Sequence, residues 1–282
     1  MRPTSRRLIE NALSYVVLIT YTLASSIPIW WVITSSFKLP RDIFTYAIIF
    51  KPTLANYSEI LIGTTAGQYF GSYLHFVQNS AVVSLSTIAL SLVIGTPAAF
   101  ALSRFDFRGK NDVTFWILST RMGPPIAYII PFYMIFTRLH LLDTQFALVA
   151  LYLASNLGFT IWMMKGFFDE IPHELDDAAM TDGCSRFRAF VNVLLPLTRP
   201  GLSATGIMVF LFTWNEFLYA LILTQQNAET VPVSLMGYIQ VLGIAWGPMT
   251  AAATLQIVVP LIFSVVVQKH LVRGLTLGAV KG

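Results

Sequence analysis

Six long apolar stretches, separated by shorter polar segments, divide the chain. They run approximately Leu13–Phe37, Val77–Arg104, Val113–Phe136, Thr144–Phe168, Gly201–Thr224 and Thr250–Gln268. A helix rises 1.5 Å per residue, so about 20 mostly apolar residues cross the roughly 30 Å of bilayer hydrocarbon. Each stretch meets that length, and the pattern predicts an all-α integral membrane protein with six transmembrane helices. The first stretch follows Arg2, Arg6 and Arg7, as a secretory signal would. Its apolar part is too long for a signal core, and further spans follow, so it reads as an uncleaved anchor. Trp30 and Trp31 near its far end suit the outer membrane interface.

Composition reinforces the pattern. Hydrophobic residues make up 55% of the 282 and charged residues 11%, against about 25% charged in ordinary soluble domains. With a mean hydropathy of +0.67, the chain has more apolar surface than one soluble core of this length buries, so lipid is the solvent for much of it. The net charge of +4 reads as loops on one side of a membrane, with no nucleic-acid partner. Placing the N-terminus in the cytoplasm puts thirteen Lys and Arg residues in inside segments and four outside, with Arg121 within a span. The loop Gln225–Met249 has neither Lys nor Arg. The positive-inside rule then predicts that both termini of this multi-pass chain are cytoplasmic.

Chemistry of the catalytic kind is missing from the pattern. One cysteine, Cys184, allows no internal disulfide, and the four histidines carry no metal-ligand spacing. There is no G-x-x-x-x-G-K-[ST] phosphate loop, and no Ser-His-Asp set or pair of catalytic carboxylates at a recognisable spacing. No cofactor, metal or catalytic residue is expected in this chain.

The polar segment from Asp169 to Pro200 is long for a cytoplasmic loop between two spans. Pro172 suits the first turn of a helix, where its missing N–H is not needed. Leu175, Ala178 and Ala179 follow at i, i+3 and i+4, and Glu174, Asp176 and Asp177 favour the positive end of the helix dipole. Gly183 suits a left-handed helix stop. A second helix, from near Ser185, carries Phe187, Phe190, Val191, Leu194 and Leu195 at helical spacing and is expected to end at Pro196. The whole is a helix–glycine–helix elbow with small residues on its surface, shaped to sit in a groove of another protein. The bland alternative is an amphipathic helix lying on the membrane. Its second half fits that, whereas the alanines and acidic groups of its first half fit poorly beside an anionic leaflet.

The run Asp177-Ala178-Ala179-Met180-Thr181-Asp182-Gly183, then nine residues, then Val193-Leu194-Leu195-Pro196, resembles the EAA loop of bacterial ABC importer permeases. That family has E-A-A-x-x-x-G, nine residues, then I-x-L-P. Asp177 stands for its Glu and Val193 for its Ile, each keeping the chemical character. Asn79-Ser80, Arg121-Met122-Gly123-Pro124-Pro125, Trp214-Asn215-Glu216-Phe217 and the tail Gly274–Gly282 extend the likeness to the carbohydrate branch, within it to the maltose-type second permease. The resemblance implies a single permease domain over 1–282 of the type I ABC importer permease fold, in the bacterial cytoplasmic (inner) membrane. It implies a second homologous permease, two ATPase subunits holding ATP and Mg, and an extracytoplasmic solute-binding protein facing Gln225–Met249. It further implies a coupling loop over 169–200, with Asp177, Ala178, Ala179, Asp182, Gly183 and Pro196 at the ATPase contact. A cytoplasmic tail over 269–282 would bring Lys281 to the same partner. The cargo it implies is a sugar or polyol.

Five residues are candidates for the translocation pathway. Arg121 lies about 12 Å into its span and faces a cavity, or else snorkels or pairs structurally. Pro124, Pro125 and Pro131 free backbone carbonyls after it, as in a broken helix lining a cavity. Tyr152 and Asn156, at the middle of span four, reach sugar hydroxyls or join helices. Asn215 and Glu216 lie in the outer part of span five. Glu216 is a cation or proton site, or a hydrogen-bond partner of another permease. A stand-alone secondary transporter would need coupling carboxylates at the midplane and an internal repeat. Glu216 alone is thin material for one, and a membrane-embedded enzyme would lack catalytic groups.

Overall fold

The structure is a computed structural model that describes residues 5–45, 49–62, 73–240 and 243–278. It is almost wholly helical. The helices are α1 (Ser5–Ser36), α2 (Ala55–Ile62), α3 (Tyr73–Arg104), α4 (Lys110–Ser119), α5 (Pro125–Arg138) and α6 (Gln145–Asp169). Then come α7 (Glu174–Thr181), α8 (Arg186–Ala189), α9 (Leu195–Leu197), α10 (Arg199–Trp214), α11 (Leu218–Leu223), α12 (Val231–Ser234) and α13 (Trp246–Gly278). Two short strands, β1 (Ile239–Gln240) and β2 (Gly243–Ile244), pair antiparallel, with Ile239 opposite Ile244.

Among the described residues, four single helices are long and apolar enough to cross a membrane: Ala12–Ser36, Tyr73–Arg104, Gln145–Asp169 and Trp246–Val266. They correspond to the first, second, fourth and sixth predicted spans. The other two spans are broken, each for a readable reason. The predicted Val113–Phe136 helix divides into α4 and α5, because Pro124 cannot continue a helix and Pro125 starts one. Arg121 therefore lies in the turn between two helices and not inside a span, with its amide closing a tight turn on the Leu118 carbonyl at 3.2 Å. The predicted Gly201–Thr224 helix divides into α10 and α11 around Asn215–Phe217. Arg186–Leu197 and Arg199–Trp214 are bent by 73° and together provide a fifth candidate crossing.

The chain forms two compact units, one from residues 1–73 and 235–256, the other from 74–234 and 257–282. In the first, buried Asn56 donates to the carbonyls of Ser36 (2.8 Å) and Lys38 (2.9 Å), tying α2 to the end of α1. The Trp31 and Phe44 rings meet Trp246 edge-on at 5.9 and 5.8 Å. The apolar window of α1 is exposed along its length, the state of a helix whose solvent is lipid.

In the second unit α6 is the pillar, with half of its apolar window buried. Thr144 caps it, accepting from the Ala147 amide at 3.2 Å. Leu148, Leu151 and Tyr152 near its start pack with Val83, Ile129, Tyr219 and Leu223. Ile161, Met164 and Phe168 near its end pack with Ala99, Leu102, Phe190 and Leu194. One helix thus joins two apolar clusters, one beside the α5 and α11 half-helices and one beside the segment after α7.

Candidate functional site

The polar segment after α6 folds as an elbow. In α7, Glu174, Asp176 and Asp177 occupy the first turn. Gly183 stops the helix at φ +85°, and the Cys184 amide reaches back to the Ala179 carbonyl at 3.0 Å. Both are as the glycine predicted, since only a residue without Cβ adopts this conformation without strain. The oxygen of Ser185 accepts from the Arg188 amide at 3.3 Å, starting α8. Asp177, Ala178, Asp182 and Gly183 are exposed, while Ala179 is turned inward. The stripe read from the spacing is thus split between a surface face and a packed one.

Pro196 does not end the second helix. Residues Phe190–Leu194 widen into a π turn, in which the Leu195 amide bonds to Phe190 five residues back. This shifts the hydrogen-bond register just before the residue that has no N–H to give. The chain then passes through α9, in which Pro196 sits in the first turn, and bends into α10. Nor do Phe187 and Phe190 act alike. Phe187 is exposed, whereas Phe190 is buried against Phe100 and Phe168, with ring centroids at 4.7 and 6.1 Å. A flat amphipathic helix on lipid would present both rings to one side. Lys281 falls outside the described residues.

A second site lies where the broken helices meet α6. Arg121, Tyr152, Asn156 and Glu216 all line one cavity of about 420 Å³. Asn215 does not line it; its side chain bonds back to the Leu211 carbonyl at 2.9 Å. The Arg121 guanidinium stands over the rings of Phe212 (4.3 Å) and Phe159 (4.9 Å) and donates to Asn156 Oδ1 at 3.3 Å. Asn156 Nδ2 is spent on the Tyr152 carbonyl at 2.8 Å. Asn156 therefore holds Arg121 in place and offers little to a ligand directly.

Glu216 has an internal task in this fold. Its carboxylate accepts from the amides of Tyr219 (2.9 Å) and Ala220 (3.2 Å) and from the Tyr152 hydroxyl (2.8 Å). The break in the fifth span exposes unpaired N–H groups at the start of α11, and a carboxylate two residues before its first residue is well placed to take them. Sequence reasoning missed Tyr128, Tyr219, Phe212 and Thr213 in this wall. The signal was available in the aromatic residues beside the two breaks, once the breaks themselves were known. Chemically the cavity joins aromatic faces to a few hydroxyl, amide and guanidinium groups, within the size range of small-molecule sites.

At the start of α6, Asp143 takes a left-handed turn at φ 57° and aims its carboxylate at the amides of Gln225, Gln226, Asn227 and Ala228, at 3.0–3.2 Å. Burial alone would raise its pKa, but the four backbone donors outweigh it and hold the group below the ordinary carboxylate value. Asn79 clamps the same strand of chain, donating to the carbonyls of Asn227 and Glu229 at 2.9 Å each. The loop that follows α11 therefore begins from a fixed base.

Residues 91–277 match the family of binding-protein-dependent transport system inner membrane components. The chain is 36% identical to the probable ABC transporter permease protein y4oR of Sinorhizobium fredii, over 99% of this chain and 97% of that protein. It is 32% identical to the trehalose/maltose transport system permease protein MalG of Thermococcus litoralis, over 97% of this chain and 99% of that one. In fold it matches a chain of a bacterial ABC transporter that imports the acidic polysaccharide alginate. The TM-score there is 0.77 with 21% identity, covering 95% of this chain and 99% of the other. The chain is a membrane-embedded permease of the type I ABC importer fold. It belongs to the family of binding-protein-dependent inner membrane transport components, whose ATP is hydrolysed by a partner subunit and not by the permease.

Proposed function

We propose that this chain is the permease subunit that passes a sugar or polyol from an extracytoplasmic binding protein into the cytoplasm. ATP hydrolysed in two partner subunits drives it, and a second, homologous permease completes the pathway. The observation that carries the reading is the exposed elbow of Asp177–Gly183, stopped by a left-handed glycine and presenting Asp177, Ala178, Asp182 and Gly183 at its surface. The ATPase grips this elbow, and preference of the gripping partner for one nucleotide state over the other moves the permease between its conformations. The excess of Lys and Arg in the loops on that side supports cytoplasmic termini. Carbohydrate cargo is supported by the trehalose/maltose relative and the alginate importer. The cavity around Arg121 supports it too, since aromatic rings suit the apolar C–H faces of a sugar and the polar groups suit its hydroxyls.

The test is ATP hydrolysis by the complex in liposomes, reconstituted with the partners encoded beside it, across maltose, trehalose, alginate oligosaccharides, glycerol and sorbitol. Stimulation by one sugar or polyol class, dependent on the binding protein, is the expected result. Uptake that follows an ion gradient with no ATPase present would refute it.

A further inference from the structure

Arg104 closes the last turn of α3, where a basic side chain ordinarily reaches out to water. Here it is turned in. Its side chain is 5% exposed, its Nε lies 2.7 Å from Asp176 Oδ2 as a close charge contact without hydrogen-bond alignment, and its Nη2 donates to the Ile171 carbonyl at 2.8 Å. Asp176 is itself 16% exposed and sits on α7 one turn from inward-facing Ala179. The exposed His173 ring lies 4.0 Å from the same carboxylate, and Arg186 and Asp177 line the cavity beside it.

Apart from its packing on α8 and the Phe190–Leu194 turn within the elbow itself, little else fixes α7. Ala179 is its single buried residue, and an alanine contributes little apolar area. Beside it is a cavity of about 140 Å³ bounded by Phe100, Arg104, Asp176, Met180 and Arg186, into which an untethered helix can tilt. The other arm of the elbow is held by Phe190, which packs on Phe100 one turn before Arg104 on the same helix. Both arms therefore report to the last two turns of α3.

We infer that Arg104 and Asp176 are a positioning pair that ties α7 to the end of α3, so that force applied to the exposed elbow moves the span. Without the pair, the turn from Ile171 to His173 absorbs the displacement. The inference rests on the coupling reading of the elbow proposed above. It names residues that lie behind the docking face and do not form it.

The experiment compares Asp176→Asn, Arg104→Gln, Arg104→Lys and the exchange Arg104→Asp with Asp176→Arg, in the full reconstituted complex. Gly183→Trp is run beside them. Two quantities are read for each: ATPase retained on purification, and sugar transported per ATP hydrolysed, using maltose and trehalose as probes. In Asp176→Asn the ATPase stays bound while transport per ATP falls about fivefold or more, the low end of an allosteric coupling. Arg104→Lys fails as well, because a single ammonium cannot both donate to the Ile171 carbonyl and stand against Asp176 as two separate guanidinium nitrogens do. The exchange recovers part of the ratio. An unchanged ratio in Asp176→Asn, or loss of the bound ATPase, overturns the positioning role, the latter by showing a folding or docking defect. If Gly183→Trp also leaves docking and transport intact, the coupling reading of the elbow fails with it. If Gly183→Trp uncouples and Asp176→Asn does not, only the pair is misassigned.

Discussion

Replacing Gly183 separates two effects that a single mutation confounds, namely strain in the elbow and obstruction of its surface. Gly183 has φ +85°, and no atom lies within 4 Å of where a Cβ would stand. Alanine therefore meets no clash within the chain and costs only the left-handed backbone penalty, about 1–2 kcal/mol. That lowers the ratio of formed to unformed elbow by roughly 5- to 30-fold, which leaves the formed elbow dominant where it starts in large excess. Asparagine tolerates the left-handed region better and adds more volume. Tryptophan carries the same strain as alanine and a large side chain pointing into open space. Strain ranks alanine and tryptophan together and asparagine milder. Obstruction ranks tryptophan far above asparagine, with alanine least. The assay is binding-protein-stimulated ATP hydrolysis in liposomes, alongside hydrogen exchange of α7 to report strain directly. Near-full stimulation in Gly183→Ala, an intermediate value in Gly183→Asn and loss in Gly183→Trp are expected. Equal loss in the alanine and tryptophan variants, with asparagine unaffected, would show that backbone conformation alone matters and would refute docking on this face.

Three further outcomes follow from the same geometry. Phe190→Ala removes a ring packed between Phe100 and Phe168 and should cost about 3–5 kcal/mol, read as a lower melting temperature of the purified subunit; Phe187→Ala, at an exposed ring, should leave it nearly unchanged. Glu216→Ala strips the start of α11 of its acceptor and should lower stability by about 1–3 kcal/mol, whereas Tyr152→Phe removes one of the three donors and should cost less, both by thermal unfolding in detergent. Asp143 has its pKa lowered in the fold, so its stabilisation is complete above its unfolded value of about 3.9 and is lost as pH falls through the lower folded value. Exchange of the Gln225–Ala228 amides should stay slow from neutral pH down to about pH 5 and lose its protection below about pH 4; Asp143→Asn should expose them already at pH 7, and unchanged protection in that variant would remove the carboxylate from the account.

Sequence alone determined what depends on composition and local rules. The apolar stretches fixed a helical membrane protein, because only a chain with its backbone bonds satisfied internally can live in lipid. Gly183 marked a left-handed stop, and the acidic first turn marked the start of α7, since both are consequences of backbone geometry within a few residues. Pro124 and Pro125 announced a break, and the structure realises it between α4 and α5. The spacing of Asp177–Gly183 against Val193–Pro196 located the elbow.

What only the tertiary structure decided is where side chains meet across elements distant in the sequence. Arg121, Tyr152, Asn156 and Glu216 come to one cavity because α4–α5 and α10–α11 are both broken beside the middle of α6. Nothing in the hydropathy of span five foretells its break at Asn215–Phe217, because an apolar run reads the same whether its helix is continuous or interrupted. The carboxylate of Glu216 looks like an isolated charge in the sequence and becomes the acceptor for a half-helix in the fold. The register shift before Pro196 belongs to the same class, since the cost of a missing N–H can be met by ending the helix or by widening it, and packing of Phe190 and Leu194 selects the second. Arg104 is the sharpest case. By charge and position it is one more cytoplasmic cation, and only the fold of the elbow beneath it turns that cation inward, because a carboxylate 72 residues away in the chain arrives within 2.7 Å.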